Sequence, residues 1–220
     1  MKINIVHEIN DTDSIFYYIP NFFTDAEVNG LNIKLDDIDY APNYNYHETK
    51  IIRYQKWYQS EYRYFCEGWK TKYKRWEPNT YFKELDKFQT NLSNKLKDLQ
   101  LETIGINVPK FNSCLINKYL PKNYIRAHRD TDRSFGKEPV IVGVSFGSTA
   151  SILFKRVNYS GLNTGLSKKD KKNEFLNFKL NLEPNSVFIM AGSSQKYWTH
   201  EILELQGSIP RISLTFREQL

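Results

Sequence analysis

The seven residues RISLTFR, from Arg211 to Arg217, restrict the fold more than any other stretch of the chain. Ile212, Leu214 and Phe216 alternate with Arg211, Ser213, Thr215 and Arg217, the period of a strand with one apolar and one polar face. Both arginines therefore project from the same side. On an edge strand they would be solvated. On the inner side of a barrel they must meet anions, because an unpaired buried charge is very costly. A small dicarboxylate is a natural partner, since a guanidinium grips a carboxylate through two parallel hydrogen bonds.

Further upstream, His128, Arg129 and Asp130 place an imidazole and a carboxylate two residues apart. In extended backbone these two side chains share a face and Arg129 points away. Alone, the tripeptide equally describes a surface ion pair on a turn. One imidazole and one carboxylate do not hold a metal by themselves, and His200, in KYWTHEI after an apolar strand-like run, is the candidate third ligand. Two histidines and one carboxylate with positions left open suit a non-haem Fe(II) that activates oxygen. Together with the two arginines they point to an oxo-acid lying beside a metal.

These motifs fall in order between about Phe111 and Arg217: Asn117 and Tyr119, then His128 and Asp130, His200, and Arg211 with Arg217. The flanking text EPVIVGVSFGSTASILF, LEPNSVFIMAGSSQKYWTH and PRISLTFR agrees. In this set the chain resembles the AlkB family of Fe(II)/2-oxoglutarate-dependent dioxygenases. The resemblance implies that His128, Asp130 and His200 hold Fe(II), and that Arg211 takes the distal carboxylate of 2-oxoglutarate. Arg217 would reach its other carboxylate, Asn117 and Tyr119 would hydrogen-bond it, and O2 would take the last position. Ser213 stands where many relatives carry Asn in Arg-x-Asn-x-Thr-x-Arg, and serine keeps a hydrogen-bonding group there.

The activity so implied is oxidative demethylation of alkylated bases, such as 1-methyladenine or 3-methylcytosine in damaged DNA or in RNA, with a monomeric enzyme expected. Succinate, CO2 and formaldehyde would be released. Two alternatives stay open: an oxygenase of the same class acting on protein side chains, and a non-catalytic nucleic-acid-binding module. Asp132 lies where the family has an acidic residue near the base, and a carboxylate accepts hydrogen bonds from an exocyclic amino group.

From Tyr44 to Phe82 the chain interleaves Tyr, Trp, Lys and Arg with few aliphatic residues. Aromatic rings stack on bases and cations track phosphates. Aromatics also pack well in strands, with lysines snorkelling across them. In AlkB-type nucleic-acid demethylases the corresponding region forms a lid that recognises the nucleotide. Arg53 to Tyr58 is similar to that family's opening motif, and Tyr62 to Gly68 to the aromatic strand that follows. Arg53, Trp57, Tyr62 and Tyr64 are the base-contacting candidates.

Several short strands separated by turn signals predict a mainly β protein with flanking helices (α+β), built as an antiparallel barrel or sandwich. The double-stranded β-helix, or jelly roll, is what the resemblance implies. Thr24 and Glu27 have capping-box spacing before a short helix with Val28, Leu31 and Leu35 inward. Leu85, Phe88, Leu92, Leu96 and Leu99 predict a helix over Glu84 to Leu101. Gly143, inside PVIVGVSF, predicts a bulge or a close approach. The 220 residues read as one domain, with 1–110 as N-terminal extension, lid and supporting helix, and 111–220 as the catalytic jelly roll.

The net charge of +6 favours a polyanionic partner. His7 and His47 lack spaced partners, and the lysine run in SKKDKK reads as a solvated loop. Cys66 and Cys114 give neither a metal-spaced pair nor a disulfide framework. The absence of a signal-like core or a membrane-length apolar run leads to the expectation of a soluble intracellular protein, cytoplasmic or nuclear.

Overall fold

The computed structural model describes residues 7–9, 13–40, 42–44, 49–61, 63–70, 76–157 and 177–220. In chain order the strands are β1 (His7–Ile9), β2 (Ser14–Ile19), β3 (Tyr54–Gln59), β4 (Asn79–Thr80), β5 (Ser113–Tyr119) and β6 (Ile125–His128). They continue as β7 (Ile141–Gly147), β8 (Ala150–Arg156), β9 (Asn177–Leu182), β10 (Val187–Gly192), β11 (Trp198–Ile202) and β12 (Arg211–Arg217). Two longer helices, α1 (Asp25–Asp36) and α2 (Lys83–Lys97), are joined by two single turns, α3 (Asp132–Phe135) and α4 (Ser194–Tyr197).

An eight-stranded sheet runs β1-β2-β10-β7-β12-β5-β3-β4, and a four-stranded sheet runs β6-β11-β8-β9. The mainly β, antiparallel two-sheet build follows the strand pattern of the sequence, and it is consistent with the jelly roll that the resemblance implies. β12 sits inside the larger sheet, paired antiparallel to β5 on one side and β7 on the other. Its two faces meet different partners. Ile212, Leu214 and Phe216 enter a core with Leu85, Phe88, Leu92 and Leu96 of α2 and with Val28, Leu31 and Leu35 of α1. The polar face of the strand looks instead into a cavity shared with the smaller sheet. A second apolar cluster, including Phe16, Ile152, Phe154, Phe188 and Trp198, closes the space between the sheets.

The helices form where local chemistry asks for them. The Thr24 amide donates to Glu27 Oε2 at 2.8 Å and the Glu27 amide donates to Thr24 Oγ1 at 3.4 Å, which completes the capping box. Lys95 of α2 reaches Glu27 Oε1 at 2.8 Å and ties the two helices together. α2 stops at Lys97, short of the predicted Leu101. The chain then turns through Gln100 at φ 51° into a 3-10 segment, Leu101–Ile104. Leu99 is left packed against the edge of the core.

Three expectations change in the fold. Arg53 to Tyr58 does not lie over the barrel as a lid, because Tyr54–Gln59 is strand β3 of the larger sheet, laid along β5. An unpaired edge of β5 would expose a row of backbone donors and acceptors, and β3 satisfies them. β1 to β4 all join that sheet, so the N-terminal part contributes strands to it. The stretch Tyr62 to Gly68 is no strand where it is described. It is a loop entering the 3-10 turn Glu67–Trp69. Gly143 keeps regular register opposite Phe188 and Thr215, so it marks no bulge; its missing side chain leaves room in the cavity. Among the described residues no helix is long and apolar enough to cross a membrane. Tyr62, His47 and the lysine run at 168–172 lie outside the described residues, as does the side chain of His7.

Candidate metal centre and its pocket

His128 ends β6 and stands directly opposite His200 of β11, with ring centroids 4.3 Å apart. Asp130 follows two residues past the end of β6. Its carboxylate and the two imidazoles each offer one ligand atom, all within 4.8 Å of one another. A register shift in the β6–β11 pairing lies just beyond His200, as is common beside functional sites. His128 Nδ1 lies 2.9 Å from the Arg126 carbonyl oxygen. That oxygen can only accept, so Nδ1 carries the proton and Nε2 is left to bind a metal.

The second layer of contacts holds the acid in place. Arg217 Nε donates to Asp130 Oδ2 at 2.6 Å in a buried ion pair. The Asp130 amide donates to Gln195 Oε1 at 2.9 Å, which fixes the chain where it leaves the strand. Burial opposes ionisation of Asp130. The Arg217 guanidinium and the two neighbouring imidazoles outweigh burial and hold the carboxyl below its ordinary range. Burial, assisted by the charge of His128, pushes His200 down to about 3, and burial also lowers His128. The three side chains are thus a carboxylate and two neutral imidazoles at neutral pH. No proton has to leave before a metal binds.

Beside this triad a cavity of about 240 Å³ is lined by Asn117, Tyr119, Arg211, Ser213 and Arg217. Register brings them together: β12 sets Arg211 opposite Tyr119 and Ser213 opposite Asn117. Arg211 is only 2% exposed. It donates from Nη2 to Ser145 Oγ at 3.0 Å and lies 5.2 Å from the centre of the Tyr119 ring. Its Nε and Nη1 have no hydrogen-bond partner. A buried guanidinium with two orphaned donors fits an anionic ligand, and a carboxylate supplies the missing acceptors. Arg217 differs from the expectation that it serves a carboxylate of the co-substrate: its shortest bond goes to the metal-binding acid, and its guanidinium also lies over Phe135 at 5.0 Å.

The base-contacting candidates separate. Arg53 lines the cavity and donates from Nε to Asn117 Oδ1 at 3.0 Å. Trp57 is 0% exposed and does not line the cavity. It packs edge-on to Phe65 at 4.9 Å in a third apolar cluster, so it belongs to the core. Tyr64 is buried in the same cluster, its hydroxyl donating to the Trp69 carbonyl at 3.4 Å. Asp132 is exposed at the start of α3 and faces an adjoining groove with Arg129, Lys137 and Lys196. From the aromatic segment between Tyr44 and Phe82, the rings that line the cavity are Phe65, Trp69 and Trp76, none of them among the base-contacting candidates. Phe65 is stacked on Trp76 at 4.1 Å and lies nearly parallel to Trp69 at 5.9 Å. In a segment so rich in aromatics no spacing rule distinguishes cavity rings from core rings. Gln195 was missed too, since an amide serving a backbone N–H leaves no signature in sequence.

Two imidazoles and an acid on one wall, with guanidinium donors awaiting an anion on the other, define a mononuclear non-haem iron site of the kind that uses a 2-oxo-acid. Comparison with known families agrees. The 2OG-Fe(II) oxygenase superfamily matches residues 15–217, and this chain belongs to it. It is AlkB-like in sequence. It is 30% identical over 109 residues to the human alpha-ketoglutarate-dependent dioxygenase alkB homolog 3, and 32% identical over 120 residues to the Arabidopsis thaliana DNA oxidative demethylase ALKBH2. Each match covers 49% of this chain, but only 36% of the human protein and 38% of the plant one. The OsALKBH1 structure superposes with a TM-score of 0.59 at 17% identity, over 92% of this chain and 97% of that one. A prolyl-4-hydroxylase from Pseudomonas putida shares the fold at a TM-score of 0.53 and 12% identity, over 92% of each chain.

Proposed function

We propose that this protein demethylates N-alkylated bases, such as 1-methyladenine and 3-methylcytosine, in DNA or RNA, using Fe(II), 2-oxoglutarate and O2. The observation that carries the reading is the wall of Phe65, Trp69 and Trp76 in the same cavity as the metal triad. A flat base is held by stacking on such rings. The net charge of +6 favours a polyanion, and relatives named as alkB homologs and a DNA demethylase support the same substrate class.

His128, Asp130 and His200 would hold the iron, and Arg211 with Ser145, Tyr119 and Asn117 would hold the co-substrate. The chemistry supplied by that bound pair is oxidation of an N-methyl carbon by O2, coupled to decarboxylation of 2-oxoglutarate to succinate. The oxidised methyl carbon then leaves as formaldehyde, its hydroxyl proton is released, and the electrons of the broken C–N bond return to the ring nitrogen as a lone pair. The chain's own part is placement. Arg217 keeps Asp130 ionised and aimed, Arg126 fixes the His128 tautomer, and the apolar cluster between the sheets excludes water. A base in a duplex has to be turned out of the stack to enter, and a single-stranded one enters at less cost.

Succinate release with iron, measured with and without a methylated oligonucleotide, tests the reading. Stimulation by the oligonucleotide, lost in His128→Ala, is the expected result. Succinate that responds to a peptide and not to nucleic acid would move the substrate to protein side chains. Oligonucleotide binding without any succinate would leave a binding module.

A further inference from the structure

We propose that Gln219 is a positioning residue for the aromatic wall of the cavity, setting how tightly a flat substrate is held without touching it. The inference rests on the substrate reading above and names the group that holds its binding wall in place.

Gln219 lies two residues beyond β12 and is 7% exposed. Its Nε2 donates to two main-chain carbonyls on the aromatic loop, Tyr64 at 2.8 Å and Phe65 at 3.2 Å. Its Oε1 accepts from the Gln59 side chain. Gln219 is itself held by a reciprocal pair with Asn112: its amide donates to Asn112 Oδ1 at 2.7 Å, and Asn112 Nδ2 donates to its carbonyl at 2.8 Å. A second side chain converges on the same loop. Ser134 Oγ donates to the Phe65 carbonyl at 2.6 Å, and the Leu220 amide donates to the Ser134 carbonyl at 3.1 Å.

These bonds matter because Tyr64 and Phe65 lie outside any strand ladder. The Phe65 amide reaches the Trp76 carbonyl only at 3.4 Å. Side-chain donors therefore hold the main chain from which Phe65 stacks on Trp76 and faces Trp69. The same end of β12 also serves the metal site. Arg217 pairs with Asp130, its guanidinium lies over Phe135, and Phe135 meets Phe65 edge-on at 5.4 Å. One strand end thus sets both the metal-binding acid and the wall on which the substrate would lie. Removing the Gln219 donors loosens the wall and leaves the Arg217–Asp130 pair in place.

Gln219→Leu keeps most of the volume and removes both donors; Ser134→Ala removes the third and carries the test should the first variant fail to fold. The full chain, loaded with Fe(II) and 2-oxoglutarate, is assayed on a 1-methyladenine oligonucleotide, and amide hydrogen exchange is followed over residues 63–70. We expect the oligonucleotide KM to rise on the order of tenfold, the scale of one or two lost hydrogen bonds. The turnover number and the KM for 2-oxoglutarate should stay within about twofold, with faster exchange confined to 63–70. Equal losses in every kinetic constant, faster exchange throughout the core strands, or unchanged exchange over 63–70 would each overturn the positioning role. Absence of turnover in the unsubstituted protein would overturn the substrate reading instead, and exchange over 63–70 would still decide the role of Gln219.

Discussion

Arg211 carries a positive charge into a site that offers it the Ser145 hydroxyl and Tyr119, whose ring lies against the guanidinium and whose side chain partly offsets the cost of burial. Without a ligand that arrangement is unfavourable, since two donors lack acceptors and burial depresses the guanidinium below its ordinary value. Arg211→Met should therefore stabilise the ligand-free fold while weakening 2-oxoglutarate. The expected signs are a higher melting temperature and a KM for 2-oxoglutarate raised roughly 10- to 100-fold, the scale of a charge-assisted hydrogen bond. A lower melting temperature would show that an internal partner satisfies the guanidinium. His200 sets an acid limit. Folded, it takes a proton only near 3, whereas the unfolded chain takes one near the ordinary value of 6.5. Below 6.5 the unfolded state binds more protons, so stability is full above that pH and is lost as pH falls toward 3. Urea midpoints of the metal-free protein should be level above about pH 7 and decline between pH 6.5 and 4.

Elements convert these side chains into a site through register. β12 delivers Arg211, Ser213 and Arg217 to the cavity only because β5 and β7 pair with it residue for residue. Gly147 guards the start of that alignment, paired with Arg211 at φ 76°. A Cβ there would lie 2.2 Å from the Pro210 carbonyl oxygen, closer than real atoms approach. Gly147→Ala should cost about 2 kcal/mol or more, from left-handed backbone strain and the clash. It should also raise the KM for 2-oxoglutarate by moving Arg211. Calorimetry beside a 2-oxoglutarate titration checks both, and an unshifted melting temperature would refute the account. The alternation that predicts β12 was legible because each of its faces has one kind of neighbour. The aromatic segment was not, because Trp57, Phe65, Trp69 and Trp76 have the same local chemistry, and only packing decides which rings meet the cavity.

For the whole molecule, the metal triad is a long-range product. His128 and His200 lie on neighbouring strands of the smaller sheet, Arg217 on the larger, and the site exists only while the two sheets face each other. Ligands that bind this pairing and not the unfolded chain must stabilise the whole. A redox-inert substitute such as Mn(II), with 2-oxoglutarate at about 100 times its dissociation constant, should add about 2.7 kcal/mol. Thermal melting with and without a chelator measures it. A shift from Mn(II) that survives in a variant lacking both His128 and His200 would place the metal elsewhere.

The sequence by itself determined what each strand can present. A period of two puts Arg211 and Arg217 on one face, two residues separate His128 from Asp130, and a capping box and leucine spacing mark the helices; all of these are local rules read over a few residues. Tertiary structure decided which presented groups meet. It joined Arg217 to Asp130, gave Asp130 the Gln195 amide oxygen, placed Trp57 in the core and turned Phe65 and Trp69 to the cavity. Those outcomes depend on partners far apart along the chain, where hydrogen bonding and close packing choose among chemically equivalent side chains.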